Sequence, residues 1–308
     1  MQLMKPSNLV MLLIVAFLLL PITYPEKFSP AVAAPVSLLT RDFIPTGDAQ
    51  VYEDSPNSNY GGIMIYIRSK DGANLRAFIQ FDLDNIPPGS KITEATLYLY
   101  KYGSPDVART YRCSRVSGSW SESTITWNNQ PAVGSPSSDE VIGTSDGWES
   151  WGVTSSVQQF RSKDTASASR NYGWRIADIS EGSLVQHQSV FYSKEYETDL
   201  AKRPYLRVKY YPPHLELETY GSSFDAGNWV KITVHRKDYE DNAITRGDLI
   251  VKLDSSSTSS NAKFSLTEGG TTITELEIPN GSSSKDFWYY DDKAGTWTIH
   301  VYTSDYLY

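Results

Sequence analysis

The chain has 308 residues with 28 basic and 36 acidic side chains, and its formal charge of −8 argues against nucleic acid as a partner, because such a surface repels phosphate backbones at long range. Cys113 is the only cysteine, so a disulfide within the chain is excluded, stability must come from packing or bound ions, and the thiol reads as a buried small hydrophobe. Twenty-one tyrosines and eight tryptophans, with few helix-favouring runs, suit β-sheet surfaces and extracellular binding modules better than a helical enzyme.

At the N-terminus Lys5 precedes an apolar run, Leu9 to Leu20, of signal-peptide length and short of the ~20 apolar residues that span a bilayer. Ala31-Val32-Ala33 is a cleavage signal, which makes residues 1–33 a signal peptide and 34–47 an N-terminal linker. Pro21, Pro25 and Pro30 lie between the two features, so an uncleaved anchor stays open as the alternative and is the only membrane contact expected. Either way the bulk is exported, secreted or held at the cell surface.

From Asp48 the chain reads as short strands separated by turn clusters, the pattern of an all-β sandwich. Asp54 to Gly62, DSPNSNYGG, is a polar loop that leads into a strand from Ile63 to Arg68, in which Ile63, Ile65 and Ile67 alternate with Met64, Tyr66 and Arg68 and one face goes inward. The near-continuous apolar run Ala77 to Leu83 predicts a strand covered on both faces. After Pro87-Pro88-Gly89, the segment Ile92 to Tyr102 alternates most clearly, with Ala95, Leu97 and Leu99 on one face and Tyr98, Tyr100 and Tyr102 on the other. Alternation leaves open whether that tyrosine face is sugar-binding surface or sandwich core.

Thr110 to Val116 is a further strand, followed by WSESTITWNNQP at Trp120 to Pro131. Its Thr-Ile-Thr centre predicts a strand end that runs into an Asn-rich turn closed by a proline, and its aromatic and amide side chains, Trp120 and Trp127 among them, either build a core or grip a ligand. Thr154 is expected to cap the one helix, where Val157 and Phe160 share a face. Asn171 to Ile176, Ser189 to Lys194 and Pro204 to Tyr211 are closing strands. Pro212-Pro213 marks a domain boundary, and beyond it Trp229 to Arg236, Leu249 to Leu253 and Thr296 to Tyr302 form a second β pattern of immunoglobulin-sandwich size over 212–308.

Segments in order across 48–211 resemble the DNRLRE domain, a module grouped with alginate-associated carbohydrate-binding families and related to the disaggregatase repeats of methanogen surface proteins. The likeness is carried by DSPNSNYGG, FIQFDLDNIPPGSKITEATLYLY at Phe78 to Tyr100, WSESTITWNNQP, NYGWRI at Asn171 to Ile176 and FYSKEYETDLAKRPYLRVKY at Phe191 to Tyr210. It implies a jelly-roll β-sandwich facing a polysaccharide, without implying catalysis, and it makes Trp120 and Trp127 core or loop-bracing residues more than sugar platforms. Where that family writes Ser-Arg-Glu, this chain has Ser193-Lys194-Glu195, a point charge in place of a forked guanidinium. TVHRKDYEDNAITRGDLIVKL at Thr233 to Leu253 and FWYYDDKAGTWTIHV at Phe287 to Val301 resemble the Ig-like spacer modules of prokaryotic surface proteins.

The chemistry-bearing patterns are fewer. Gly143-Thr144-Ser145-Asp146-Gly147 satisfies G-x-S-x-G but sits in a polar loop without the strand-to-helix setting of a nucleophile elbow. His187, His214, His235 and His300 show no metal-protease spacing, and Asp82, Asp84, Glu122, Asp146 and Glu149 are carboxylates that sequence alone cannot pair for glycosidic cleavage. Asp48, Asp54, Asn57 and Asn59 offer hard oxygen ligands for a structural calcium ion, or else brace a tight turn. Tyr66, Arg68, Lys70 and Arg76, joined by Lys194, are the expected binding set for an acidic polysaccharide, their cations matching uronic acids. The expected protein is therefore a non-catalytic binder of an acidic envelope or matrix polysaccharide, with an adhesion component or a disaggregatase-like enzyme as alternatives.

Overall fold

A computed structural model describes residues 11–16, 37–219, 221 and 223–304. The first sandwich comprises β2 (Leu39–Phe43), β3 (Pro45–Tyr52), β4 (Met64–Ser69), β5 (Leu75–Phe81), β6 (Lys91–Gly103), β7 (Arg109–Val116), β8 (Val133–Ile142), β9 (Gly147–Gly152), β10 (Trp174–Asp178), β11 (His187–Tyr192) and β12 (Tyr205–Tyr211). These join in one 11-stranded sheet of order β2-β12-β6-β11-β4-β5-β10-β7-β8, with β3 added on β5 and β9 on β6. The sheet curls over a single core in which Ile65, Ile79, Leu97, Trp151, Trp174 and Phe191 meet from six different strands. All-β architecture is thus as the alternation predicts.

Strand β5 is covered on both faces, as its continuous apolar run implies. Ala77 and Ile79 enter the main core, while Phe78 enters a second cluster with Ala49, Val51, Val116 and Ile125 on the other side of the sheet. That second cluster is roofed by Trp120 and Trp127, which places the Trp120–Pro131 segment as a lid over the sheet. The lid consists of turns, not the expected strand end, because its backbone groups bond within the loop: Ile125 N–H to the Ser121 carbonyl, and Thr126 N–H to the Asn129 side chain. The sheet also begins earlier than expected. Leu39–Phe43 pairs with β12 and Pro45–Tyr52 with β5, so residues placed in a 34–47 linker are in large part strand.

Helix α1 (Thr154–Phe160) buries Val157 and Phe160 as predicted, but Thr154 is not its cap. Val153 holds the cap position, and the Thr154 hydroxyl instead accepts a hydrogen bond from Ala95 N–H at 2.9 Å. Ile63 is a second departure: it lies just before β4 and is exposed, leaving Ile65 and Ile67 as the inward pair.

The second sandwich packs β13 (His214–Thr219), β14 (Trp229–Lys237), β16 (Lys263–Ser265), β17 (Thr272–Ile273) and β19 (Ser284–Tyr290) against β15 (Leu249–Ser255), β18 (Glu275–Ile278) and β20 (Thr296–Tyr302). Val234, Val251, Ile278, Phe287 and Ile299 make its core. Arg236 is fully buried and donates to the carbonyls of Ile244 and Gly247, each at 2.8 Å, and of Ser282, so one guanidinium ties the β14–β15 and β18–β19 loops together. Met11–Ala16, inside the apolar N-terminal run, forms β1 and pairs with β20. The rest of 1–33, with the Ala31-Val32-Ala33 signal, lies outside the described residues.

Pro212-Pro213 lies between β12 and β13, and the elements on its two sides also dock. Thr245 and Arg246 N–H groups bond the Lys163 carbonyl, Arg246 Nη1 reaches the Phe160 carbonyl at 2.6 Å, and Tyr239 stacks on Tyr211 with ring centres 4.3 Å apart.

Candidate functional site

Because Leu97 and Leu99 point into the core, pleating turns Tyr98, Tyr100 and Tyr102 of β6 outward. Neighbouring strands extend this face by the same rule. Tyr205 of β12 stands opposite Tyr98, Trp148 of β9 opposite Tyr100, and Tyr192 closes β11. Tyr98 stacks on Tyr205 at 4.7 Å, Tyr102 on Tyr192 at 4.4 Å and Tyr192 on Tyr196 at 3.6 Å, while Trp148 meets Tyr98, Tyr100 and Tyr205 edge to face. The result is one contiguous aromatic strip. Trp148 is its most open member at 41 % exposure, and the tyrosines are half-buried.

The strip is bordered by cations. Lys202 Nζ lies 5.1 Å from the Tyr100 ring, and the Arg207 guanidinium 5.4 Å from that of Tyr205 while also gripping Asp42 bidentately at 2.8 and 2.7 Å. Burial, with the neighbouring Tyr66 and Tyr192 groups adding, pushes the Tyr102 hydroxyl up to about 12, and its bond with Tyr196 together with burial does the same for Tyr192. Both therefore remain neutral phenols, able to donate as well as accept. Amphipathic rings that combine an apolar face with a polar tip can pack on the C–H faces of a sugar and bond its hydroxyls.

Of the expected binding set, Tyr66 borders this strip, beside the Tyr102 hydroxyl, and the others do not. The Tyr102 hydroxyl contacts the Met64 sulfur, and Met64 stands two residues before Tyr66 on the outer face of β4. Arg68 is held over Tyr52 at 5.3 Å and bonds Gln188 at 2.7 Å. Lys70 is exposed in the turn between β4 and β5. Arg76 is locked beneath the lid by two 2.7 Å bonds to Glu181, one to Gln130 at 3.1 Å, and the Trp127 ring 4.1 Å away. Lys194 is drawn into a cluster of acids. Sequence reasoning missed Trp148, Tyr192, Tyr196 and Tyr205; the outward position of Tyr205, between the buried Pro204 and Leu206, is the signal that points to it.

The acids form the second feature. One carboxylate oxygen each from Asp48 on β3, Glu122 in the lid and Glu195 after β11 lie within 4.8 Å of one another. Glu122 and Glu195 border a cavity of about 540 Å³ whose wall also includes Asn59, Gly61, Trp120 and Lys194. Lys194 Nζ reaches Glu122 Oε2 at 2.9 Å and also contacts Glu195 Oε1. Asp48 is fully buried. Its Oδ2 accepts from the Lys194 backbone N–H at 2.8 Å, and its Oδ1 has no partner. Burial pushes its carboxyl up to about 7, with the charges of Glu195 and Glu122 adding to the rise and the Lys194 N–H opposing it.

The other three residues of the expected calcium loop do not join Asp48 as ligands. Asp54 accepts from the Tyr52 hydroxyl, Asn57 accepts from Asn128 at 2.8 Å, and Asn59 donates to the Glu122 and Ile125 carbonyls at 2.7 and 2.8 Å. They brace the loop against the lid, the turn-bracing role that the sequence left open. Gly143–Gly147 runs from β8 into β9 and not into a helix, so Ser145 is no nucleophile elbow. Glu149 is spent on the buried Lys101 at 2.6 Å, and Asp84 faces Arg161 at 3.1 Å. Among the described histidines, His187, His214 and His235 each pair with a single carboxylate.

A gellan lyase from Bacillus sp. is 33 % identical over 146 residues, which is 46 % of this chain and only 6 % of that much longer protein. Among solved structures, a cryo-EM structure of T=1 Penaeus vannamei nodavirus (10 % identity, TM-score 0.20, covering 86 % of this chain and 98 % of that one) and the N-terminal domain of a Streptococcus gordonii adhesin (11 %, TM-score 0.14, 75 % and 53 %) match too weakly to bear on fold or function. The model of carbohydrate-binding module family 96 matches residues 40–210, almost the whole span from β2 to β12, and the chain belongs to that family.

Proposed function

We propose that the chain is an exported, non-catalytic binder of an acidic polysaccharide, and that it holds the polymer along the strip of Tyr98, Tyr100, Tyr102, Trp148, Tyr192 and Tyr205. The observation that carries this reading is the strip itself: seven rings, with Tyr196, are gathered on the outer face of a sheet whose inner face already supplies a complete core. Lys202 and Arg207 offset negative charge locally on a protein of net charge −8, which permits an anionic chain to approach. Similarity to a gellan lyase agrees with an anionic polymer. Asp42, Glu94 and Asp199 beside the strip are each engaged in an ion pair, which supports binding without cleavage. The module is of the DNRLRE type, and the second sandwich serves as an Ig-like spacer at a surface.

Affinity electrophoresis through gels containing gellan, alginate or a neutral glucan tests the proposal. Trp148 has 41 % of its surface to offer, which for a side chain of up to about 250 Å² is ~100 Å² or ~2.5 kcal/mol at most. Trp148→Ala should therefore weaken retention on the anionic gels by about 10-fold to 50-fold in a protein that still folds, with the melting temperature lowered by the loss of its contacts to Tyr98, Tyr100 and Tyr205. Retention on no polysaccharide, or equal retention of a folded Trp148→Ala protein, defeats the reading. Release of reducing ends from the retained polymer makes the chain an enzyme instead.

A further inference from the structure

We propose that Asp48, Glu122 and Glu195 form a binding site for a structural calcium ion. The site ties β3 and the lid to the turn that follows β11. Three observations converge. The first is geometric: the three carboxylate oxygens lie within 4.8 Å of one another, and oxygens around one calcium ion at 2.3–2.6 Å are at most about 5 Å apart.

The second is independent of the clustering. Asp48 has no exposure at all, its Oδ2 is satisfied by the Lys194 N–H, and its Oδ1 is buried without a hydrogen-bond partner. A carboxylate oxygen left so is costly unless a proton or a cation completes it. The third is charge. Three carboxylates share the one ammonium of Lys194, which engages Glu122 and Glu195 and has no contact with Asp48 Oδ1. Once Asp48 is ionised, the charge that remains is what a divalent ion would offset.

Donor chemistry selects which one. All three side chains present hard oxygen, and none of the cluster presents nitrogen or sulfur, so zinc and copper are disfavoured. The adjoining cavity of about 540 Å³ leaves room for waters to fill the six to eight positions that calcium takes, where magnesium demands a tighter octahedron. Lys194 is partly exposed and free to swing outward as the ion enters. The ion would also fix Glu195, whose neighbour Tyr196 stacks on Tyr192 at the end of the aromatic strip. The calcium site itself does not depend on what that strip binds.

The test is thermal melting and isothermal titration of the full chain after chelation, with calcium chloride and magnesium chloride as probes. At calcium about a hundred-fold above Kd the melting temperature should rise by about 5–10 °C, with magnesium giving much less. Asp48→Asn and Glu195→Gln should each abolish the rise and the titration heat, while Lys194→Ala should retain or strengthen both. An absence of calcium heat and of any melting shift in the unaltered chain overturns the site. So does a calcium shift that survives both carboxylate substitutions, since the ion would then sit elsewhere. If Asp48→Asn does not fold, Glu195→Gln and the titration of the unaltered chain decide the matter.

Discussion

Arg76 separates a reading by residue type from one by structure, and its removal has a calculable outcome. By type, Arg76 and Arg68 belong to one cationic binding set. In the fold, the Arg76 guanidinium is shared between Glu181, Gln130 and the Trp127 ring, with Arg76 and Glu181 only 21 % and 22 % exposed. Arg76→Ala leaves the Glu181 carboxylate largely desolvated, with the nearby Arg175 charge but no bidentate partner, and takes away the cation that seats the lid. A fully buried pair broken in this way costs ~3–5 kcal/mol. Partial exposure lowers that figure, and the ring contact adds ~0.5–1 kcal/mol, so a net loss of about 2–3 kcal/mol is expected. For a domain of this size the loss corresponds to a drop of about 5–10 °C in melting temperature. Circular-dichroism melts and urea titrations would record it, and polysaccharide retention measured well below the new midpoint should be preserved. A variant that melts with the unaltered protein but no longer binds polysaccharide would refute the reasoning, because the guanidinium would then be a ligand-facing group.

Two further outcomes test the packing. Gly173 has φ +71°, and a Cβ there would stand 2.1 Å from the Ile79 carbonyl oxygen and 2.7 Å from Gln80 Cα, both backbone atoms of β5. Gly173→Ala should cost about 3 kcal/mol or more, seen as loss of soluble protein or a strongly lowered urea midpoint; a stable variant would mean that β10 and β5 do not approach as described. Cys113 is fully buried and burial pushes its thiol well above the usual range, so an aromatic disulfide reagent at pH 8 should label it only at the rate of unfolding. Immediate labelling would place it at the surface.

Much of the fold was legible because it rests on local pattern. Alternation in Ile92–Tyr102 gave β6 and its two faces to within a residue, and Thr296–Tyr302 gave β20 outright. Strands β2 and β3 escaped notice because Leu39–Phe43 and Pro45–Tyr52 carry mixed, weakly alternating residues, and their pairing depends on β12 and β5 across long sequence separation. The lid misled for the opposite reason. Thr-Ile-Thr has strand propensity, but Asn59 and Asn129 supply side-chain bonds that hold the backbone in turns.

Composition alone pointed to a β-rich, acidic, disulfide-free chain with a surplus of aromatics, since those properties are sums over residues and need no arrangement. Which tyrosines face solvent, and which charges meet, are properties of arrangement. Pleating placed Tyr98, Tyr100 and Tyr102 on one side, but only closure of the sheet over Leu97 and Leu99 made that side the outside. Likewise, Asp48, Glu122 and Glu195 are far apart in the chain. They meet because β3, the lid and the end of β11 converge at one end of the curled sheet, a juxtaposition that no local spacing encodes.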